Sequence, residues 1–421
     1  MTPLQEAAPG VPVSLAACHA AWLRARRGKR PSLSQLAFEA RWLDRLQDLQ
    51  AALRAGHWQP GRTVSFVVTH PKTREIHAPC FADRVVHHLL VERLEPLFEP
   101  VFIHDSFANR RGKGSHAAVQ RLQAFMRARE NMPPAGGGCF LQLDIHNFFN
   151  SIHRPTLYGL LCERLARAER RGDLPPAHAL ALRSLCHNLL VRRAAEQVRD
   201  ARAAAAVPAH KRLRHAAPGC GLPVGNLTSQ FFANVVLNPL DQFVKHTLKV
   251  RHYVRYVDDF VLLGESPEQL QQRQAEIEAF LHERLRLSLK DGSRLLPCAS
   301  GIDFLGHVVF AHRRRVRPWV VRHGCARLQG WHQRCRAALR SHTLSAADFA
   351  QLQALLGSYW GHFAHADSVR LRRQLFARRP WLGELFDLAA DGSLQAAAPA
   401  LWQVRRHRRV RQILQPEGDW A

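Results

Sequence analysis

Two adjacent aspartates between short apolar arms leave this chain few folds. In HYVRYVDDFVLLG (residues 252–264), Asp258 and Asp259 interrupt runs of β-branched and aromatic residues. Aspartate is a poor strand former and neighbouring carboxylates repel, so the pattern predicts a β-hairpin with the acids at its tip. A polar turn is the simple reading of that dipeptide. A third acid weighs against it: Asp144 stands alone in a second apolar strand, LQLDI (residues 141–145). An isolated carboxylate in a buried strand is too costly to leave without a partner. If the two strands lie side by side, Asp144 and Asp258 converge and can hold two divalent cations roughly 3.5–4 Å apart. Oxygen-only, hard ligands point to Mg²⁺, with Mn²⁺ as the alternative ion.

Charge narrows the partner. Lys and Arg number 60 against 34 Asp and Glu, a formal net charge of +26 over 421 residues. Basic runs recur at 24–30, 110–113, 211–214, 312–317, 370–379 and 405–411, which suggests an extended track more than one tail. Such a track attracts polyanions, because each neutralised phosphate releases a condensed counterion. Nucleic acid is the expected partner. An anionic membrane surface is the lesser reading, since no helix shows a sustained basic-versus-apolar face, and no apolar run approaches the length of a membrane span. The Arg-rich stretch Arg24–Arg30 follows the mild apolar run near the start instead of preceding it, unlike a signal peptide.

The nine cysteines include no CxxC pair, a pattern of unpaired thiols in a reducing compartment. His323, Cys325, His332 and Cys335 are too irregularly spaced to read as a zinc site.

Along the chain, residues 14–55 read as helices, with Leu43, Leu46, Leu49 and Leu53 on one stripe. RTVSFVVTHPKTREIHAPC (62–80) reads as a hairpin, 82–98 and 115–129 as helices, and 131–138 as a loop. The Asp144 strand precedes a helical stretch at 155–195 and an Ala/Arg/Pro-rich mobile loop at 199–219. A helix from about 231, the Asp-Asp hairpin, a helix at 267–285 and a strand pair near 286–310 follow. Basic helices reach to 380.

Strand with Asp, helix, then hairpin with Asp-Asp is the palm order of template-dependent polymerases, and the chain resembles a bacterial reverse transcriptase. LQLDIHNFF is similar to that family's first carboxylate motif, RYVDDFVLL to its tyrosine–x–Asp–Asp motif and IDFLG to the strand after it. HPKTREIHAP and DRVVHHLL resemble the fingers, and SFANRRGKGSHAAV the template-binding region. The resemblance covers about residues 60–310 and implies an α+β right-hand polymerase with fingers, an antiparallel palm sheet and a helical thumb. It implies an N-terminal helical extension at 1–58, fingers at 59–135, a palm at 136–312 with a helical fingers insertion about 153–222, a basic thumb at 313–390 and a basic tail at 391–421.

Carried over position by position, Asp144, Asp258 and Asp259 would be the catalytic carboxylates, with Asp144, Ile145 and Asp258 as metal positions. One ion would activate a primer 3′-hydroxyl and the other clamp the leaving triphosphate. Phe149, five residues after Asp144, would exclude a 2′-hydroxyl; Phe148 is the core residue if it shares a strand face with Asp144. Lys72 and Arg74 would meet the incoming triphosphate, with Gly225 and Gln230 also at the nucleotide. Arg84, Arg110, Asn226, Tyr256 and Gly306 are the template- and primer-binding candidates. Asn226, Thr228 or Ser229 could equally serve only as a helix cap. The family's usual Lys beyond a Leu-x-Leu strand is replaced by Gly292 and Ser293 in LSLKDGSRLLP, leaving Lys290 or Arg294 as substitutes; arginine would be a poor acid.

The implied activity is RNA-directed DNA synthesis from dNTPs on an RNA template with a DNA or RNA primer, in the bacterial cytoplasm. Thr228-Ser229-Gln230, in place of the Ser-Pro ending of group II intron enzymes, resembles diversity-generating retroelements, which implies a small helical accessory protein. A defence-associated reverse transcriptase and a non-catalytic RNA-binding maturase are the alternatives. No RNase H or HNH signature follows the palm, so RNA removal and integration are expected from elsewhere.

Overall fold

The computed structural model describes residues 10–28, 31–69, 72–132, 137–192, 195–341 and 343–396. The chain forms two compact units, one from residues up to 118 with 139–296, the other from 119–138 with 297 onward.

The first unit opens on three helices, α1 (Leu15–Arg26), α2 (Leu33–Glu39) and α3 (Trp42–Arg54). Ser14 and Ser32 cap the first two, accepting from the amides of Ala17 and Gln35. On α3, Leu46, Leu49 and Leu53 are buried, whereas Leu43 is exposed and falls off the stripe. Strands β1 (Thr63–Val68) and β2 (Arg74–Pro79) form the expected hairpin, paired from Thr63↔Pro79 to Val68↔Arg74. Helix α4 (Phe81–Phe98) packs on α1, and α5 (Ser115–Glu130) begins where the chain passes to the second unit.

Strand β3 (Cys139–Asp144) leads through the short α6 (Phe148–Ser151) to the antiparallel pair α7 (Arg154–Arg170) and α8 (Pro176–Val191). The next segment departs from expectation. Residues 196–198 form β4, parallel to β1 with Thr63↔Glu196, followed by α9 (Ala201–Ala205). The stretch to 219, expected as a mobile loop, is tied down: Arg212 Nε donates to the Val207 carbonyl at 2.7 Å, and the Leu213 amide donates to Glu75 Oε2 at 2.9 Å. Composition marks it as a loop but not where its polar groups find partners.

Helix α10 (Leu227–Gln242) then precedes the hairpin of β5 (Tyr253–Tyr256) and β6 (Asp259–Gly264). Helix α11 (Pro267–Phe280) follows, and β7 (Arg294–Pro297) completes a four-stranded sheet of order β5-β6-β3-β7, in which β5, β6 and β3 pair antiparallel. The apolar residues of β3 and β6 (Leu141, Leu143, Phe260, Leu262) join those of α4, α7 and α10 in one core. This is the mixed helix-and-sheet organisation of a polymerase palm.

In the second unit, β8 (Ile302–Phe304), β9 (His307–Val309) and β10 (Arg314–Val316) form a small antiparallel sheet. Three helices, α12 (Pro318–Arg340), α13 (Ala346–Ala364) and α14 (Val369–Ala377), pack around Leu328, Trp331, Leu352, Trp360 and Phe363. Trp331 and Trp360 are thus core residues, while Trp319 is exposed. A hairpin of β11 (Phe386–Leu388) and β12 (Leu394–Ala396) spans residue 390, the expected boundary between thumb and basic tail. The basic stretch VRRHRRVRQIL lies outside the described residues. No helix among the described residues is long and apolar enough to cross a membrane, and none of the nine cysteines forms a disulfide.

Candidate active site

The β3–β6 register ends on Asp144↔Asp259, and the β5–β6 register begins on Tyr256↔Asp259. The two strand ends and the turn Val257-Asp258 therefore meet at one edge of the sheet. Val257 takes a left-handed φ of +57°, an uncommon conformation for a β-branched residue and a sign of a constrained turn.

This geometry brings Asp144 and Asp258 together, as the sequence predicts. Burial, then the negative charge of Asp144, pushes the Asp258 carboxyl up to about 6, and the Asp144 carboxylate lies within hydrogen-bonding reach; the Arg74 guanidinium pulls the other way. A carboxyl raised by burial and by its neighbour's charge forms, with that neighbour, a donor set whose repulsion a divalent cation would relieve. Asp259 is engaged from the neighbouring strand, accepting from Gln142 Nε2 at 3.0 Å. Ile145, buried beside Asp144, can offer only its main-chain carbonyl. Lys290 lies at the same point: its Nζ is 3.3 Å from Asp144 Oδ2, and its amide donates to the Asp144 carbonyl at 2.8 Å.

The flanking positions sort unevenly. Lys72 and Arg74 are exposed on the β1–β2 hairpin, and the charge of Arg74 reaches Asp258. Phe148 is buried and Phe149 only half so. The reason is not a shared strand face, because β3 ends at Asp144 and α6 carries both rings. Gly225 has φ +115°, and a Cβ there would meet Ile76 Cγ2 at 2.9 Å and the His77 carbonyl oxygen at 3.1 Å, so β2 itself demands the glycine. Asn226 occupies the N-cap position of α10, yet its side chain makes no cap bond and its buried Oδ1 has no hydrogen-bond partner. Gln230 and Tyr256 are half-buried.

Three candidates also have structural duties. Arg84 donates to the Ala25 carbonyl at 2.8 Å and lies over the Phe81 ring, tying α4 to α1. Arg110 donates to Glu99 and to the carbonyls of Ile103 and Ser106, with its side chain only 5% exposed. These bonds occupy Nη2 of Arg84, which is half-buried, and most of the Arg110 fork. Gly306, in the second unit, forms with Leu305 a two-residue turn with φ of +89° and +50°, and a Cβ on it would strike the His362 ring.

Outside this site, Glu75, His77 and Glu196 gather metal-type donors, but each ring nitrogen of His77 faces its own carboxylate, at 3.1 and 3.5 Å. Sequence reasoning missed Asp241 and Arg255, which are fully buried and paired behind the turn. The available signal was two opposite charges in otherwise apolar segments, NPLDQF and HYVRY.

An antiparallel sheet that presents paired acids at its tip, in a strongly basic chain, defines a nucleotide-polymerising palm. Residues 69–309 match the reverse transcriptase (RNA-dependent DNA polymerase) family, more than half of the chain. The chain belongs to this family. It is 22% identical over 324 residues to protein YkfC of Escherichia coli (strain K12), covering 67% of this chain and 76% of that one. It is 23% identical over 286 residues to the group II intron-encoded protein LtrA of Lactococcus lactis subsp. cremoris, covering 58% of this chain and 45% of that one. Among solved structures, a Candida albicans telomerase in complex with a telomeric RNA fragment is similar at TM-score 0.44 and 12% identity, over 76% of this chain and 57% of that one. The apo telomerase from Candida tropicalis is similar at TM-score 0.40 and 9% identity, over 60% and 48%. The chain spans less than half the length of its intron-encoded relative and about half of the telomerase chains.

Proposed function

We propose that this chain makes cDNA on an RNA template by two-metal nucleotidyl transfer, in a diversity-generating retroelement. The observation that carries the chemistry is the meeting of Asp144 and Asp258 at the end of β3 and the β5–β6 turn. With the Ile145 carbonyl they supply hard oxygen donors suited to Mg²⁺, with Mn²⁺ as the alternative. Bound there, the ions would supply positive charge to the attacking and leaving oxygens of the transfer. Asp259, held by Gln142, supports the pair.

The remaining residues bind and orient. Arg74, with Lys72 beside it, offers cationic charge to the triphosphate of an incoming dNTP. Phe149, less buried than Phe148, is the ring available to back the sugar. Gly225, Asn226 and Gln230 flank the nascent base pair, and the orphaned Asn226 Oδ1 is an acceptor with no partner of its own. Tyr256 and Gly306 complete the set at the template–primer, the fingers falling at 59–135, the palm at 136–312 and the thumb at 313–390.

The retroelement setting rests on Thr228-Ser229-Gln230 at the head of α10 and carries with it a small helical accessory protein. Primer extension on a defined RNA template with Mg²⁺ and dNTPs tests both levels, with every product sequenced beside Asp258→Ala. Extension lost in that variant supports the chemistry, and errors concentrated opposite template adenines support diversification. Template-free or uniform products would favour a defence enzyme. Tight RNA binding by a wild type that extends nothing would favour a maturase.

A further inference from the structure

We propose that Arg255 is a positioning residue for the catalytic turn: clamped by Asp241, it holds the Val257 carbonyl and so fixes where Asp258 stands. This inference rests on the reading of Asp258 as a catalytic carboxylate.

Arg255 and Asp241 are both completely buried. A guanidinium has five N–H donors in a rigid fork, and here all five have acceptors. Arg255 Nε donates to Asp241 Oδ1 at 2.7 Å and Nη2 to Asp241 Oδ2 at 2.6 Å, a bidentate pair. The second Nη2 proton reaches Ser106 Oγ at 3.0 Å. Nη1 donates to Asn234 Oδ1 at 3.3 Å and to the Val257 carbonyl at 2.9 Å. Tyr253 contributes its hydroxyl to Asp241 Oδ1 at 2.8 Å. The main chain of Arg255 is pinned as well, its amide donating to the Asp105 carbonyl and its own carbonyl accepting from the Phe107 amide, at 2.9 and 3.0 Å.

The placement gives the network its consequence. Asp241 and Asn234 belong to α10, the helix whose first turn carries the 226–230 motif, while Val257 is the residue before Asp258. One side chain thus sets the register between that helix and the turn. The turn needs such a hold, because Val257 sits at φ +57°, where a β-branched residue persists only if its surroundings over-determine it. Stability alone explains the network poorly, since a buried ion pair is weak evidence for net stabilisation. Lysine in place of Arg255 would keep a charge for Asp241 but, as a point donor, could not span Asp241 and the Val257 carbonyl together.

The test compares wild type, Arg255→Lys, Asp241→Asn and Asp258→Ala in the full chain. Primer extension is measured across a Mg²⁺ range, with dNTP kinetics, template–primer binding and thermal melting. Arg255→Lys, assayed well below its melting midpoint, is expected to lose about 10²-fold in kcat, the effect of roughly 1 Å of misplacement. Its Mg²⁺ half-saturation is expected to rise about tenfold, as when a group that orients a metal ligand is altered. The dNTP KM and template–primer affinity stay at the wild-type values. Asp241→Asn, close to isosteric, shifts the same two parameters and keeps the question open to measurement if Arg255→Lys does not fold. A folded Arg255→Lys or Asp241→Asn enzyme with wild-type Mg²⁺ half-saturation overturns the proposal, whatever its kcat. Wild-type extension by Asp258→Ala would instead overturn the reading of the carboxylates, on which the proposal stands.

Discussion

Lys290 is tied to Asp144 twice, its amide donating to the Asp144 carbonyl at 2.8 Å and its ammonium lying 3.3 Å from Oδ2. The main-chain bond holds the segment after α11 against the end of β3, and the side chain brings an ammonium proton to the Asp144 carboxylate. Arg294 lies in the edge strand β7, and its guanidinium would not release a proton at the pH of the reaction. Lys290 is therefore the residue expected to protonate the leaving pyrophosphate where the family's usual lysine is absent. Lys290→Ala should lower the single-turnover rate by about 10²-fold, the scale of a lost general acid. Lys290→Arg keeps the charge but cannot release a proton, so it should stay close to the alanine variant. A Lys290→Arg enzyme as fast as wild type would reduce the role to charge neutralisation.

The raised Asp258 carboxyl makes the metal-free protein pH-sensitive in a defined direction. Burial, with the Asp144 charge second, lifts it from an ordinary 3.8 to about 6, so the folded state binds this proton more tightly than the unfolded one. Its stabilising contribution is full below pH 3.8 and disappears as the pH rises through 6. The bare shift corresponds to roughly 3 kcal/mol, and solvent screening of a partly exposed site reduces this to about 1–2 kcal/mol. Asp258→Asn should therefore be more stable than wild type at pH 7 by that amount in chelator, with the gap closing near pH 4. Melting curves across this range check it. Mg²⁺ added at pH 7.5 should stabilise wild type and not Asp258→Asn, and below pH 6 wild type should need more Mg²⁺ for the same rate.

Arg74 stands exposed on the β1–β2 hairpin, with charge that already reaches Asp258. If it meets the triphosphate, Arg74→Ala should raise the dNTP KM by about tenfold, the equivalent of roughly 1.4 kcal/mol, and leave template–primer affinity unchanged. Lys72→Ala should act in the same direction. Steady-state kinetics at saturating template–primer separates this from a loss of nucleic-acid binding, which would move the affinity instead.

The sheet that carries the candidate site was legible because its physics is local. An acid in an apolar strand is conspicuous, and a hairpin with two acids at its tip can place them in few ways, so Asp144, Asp258 and Asp259 and their strands followed from pattern. Long-range partners were not legible. Arg84 and Arg110 look in sequence like any basic residue near a nucleic-acid track, and only the folded chain shows their bonds to Ala25 and Glu99. One tie that holds residues 199–219 is the bond of the Leu213 amide to Glu75, more than a hundred residues away, which composition cannot reveal. Arg255 and Asp241 are the opposite case, a charge pair whose burial was readable but whose pairing was not.

Gly225 illustrates how the site's backbone is committed before any ligand arrives. Its φ of +115° lies where L side chains are strained, and its missing Cβ would press on Ile76 Cγ2 and the His77 carbonyl oxygen. Strand β2 cannot simply retreat, because the His77 amide donates to the Val224 carbonyl at 2.8 Å and binds the two segments together. Gly225→Ala should then cost about 2 kcal/mol or more, combining backbone strain with overpacking. For a unit of this size that is a fall of about 4–8 °C in melting midpoint. The same displacement should separate the β1–β2 hairpin from the head of α10, so the variant should also lose dNTP affinity at temperatures where it remains folded. Melting and dNTP kinetics on one preparation decide the matter: an unchanged midpoint would show that the hairpin yields freely to the added methyl.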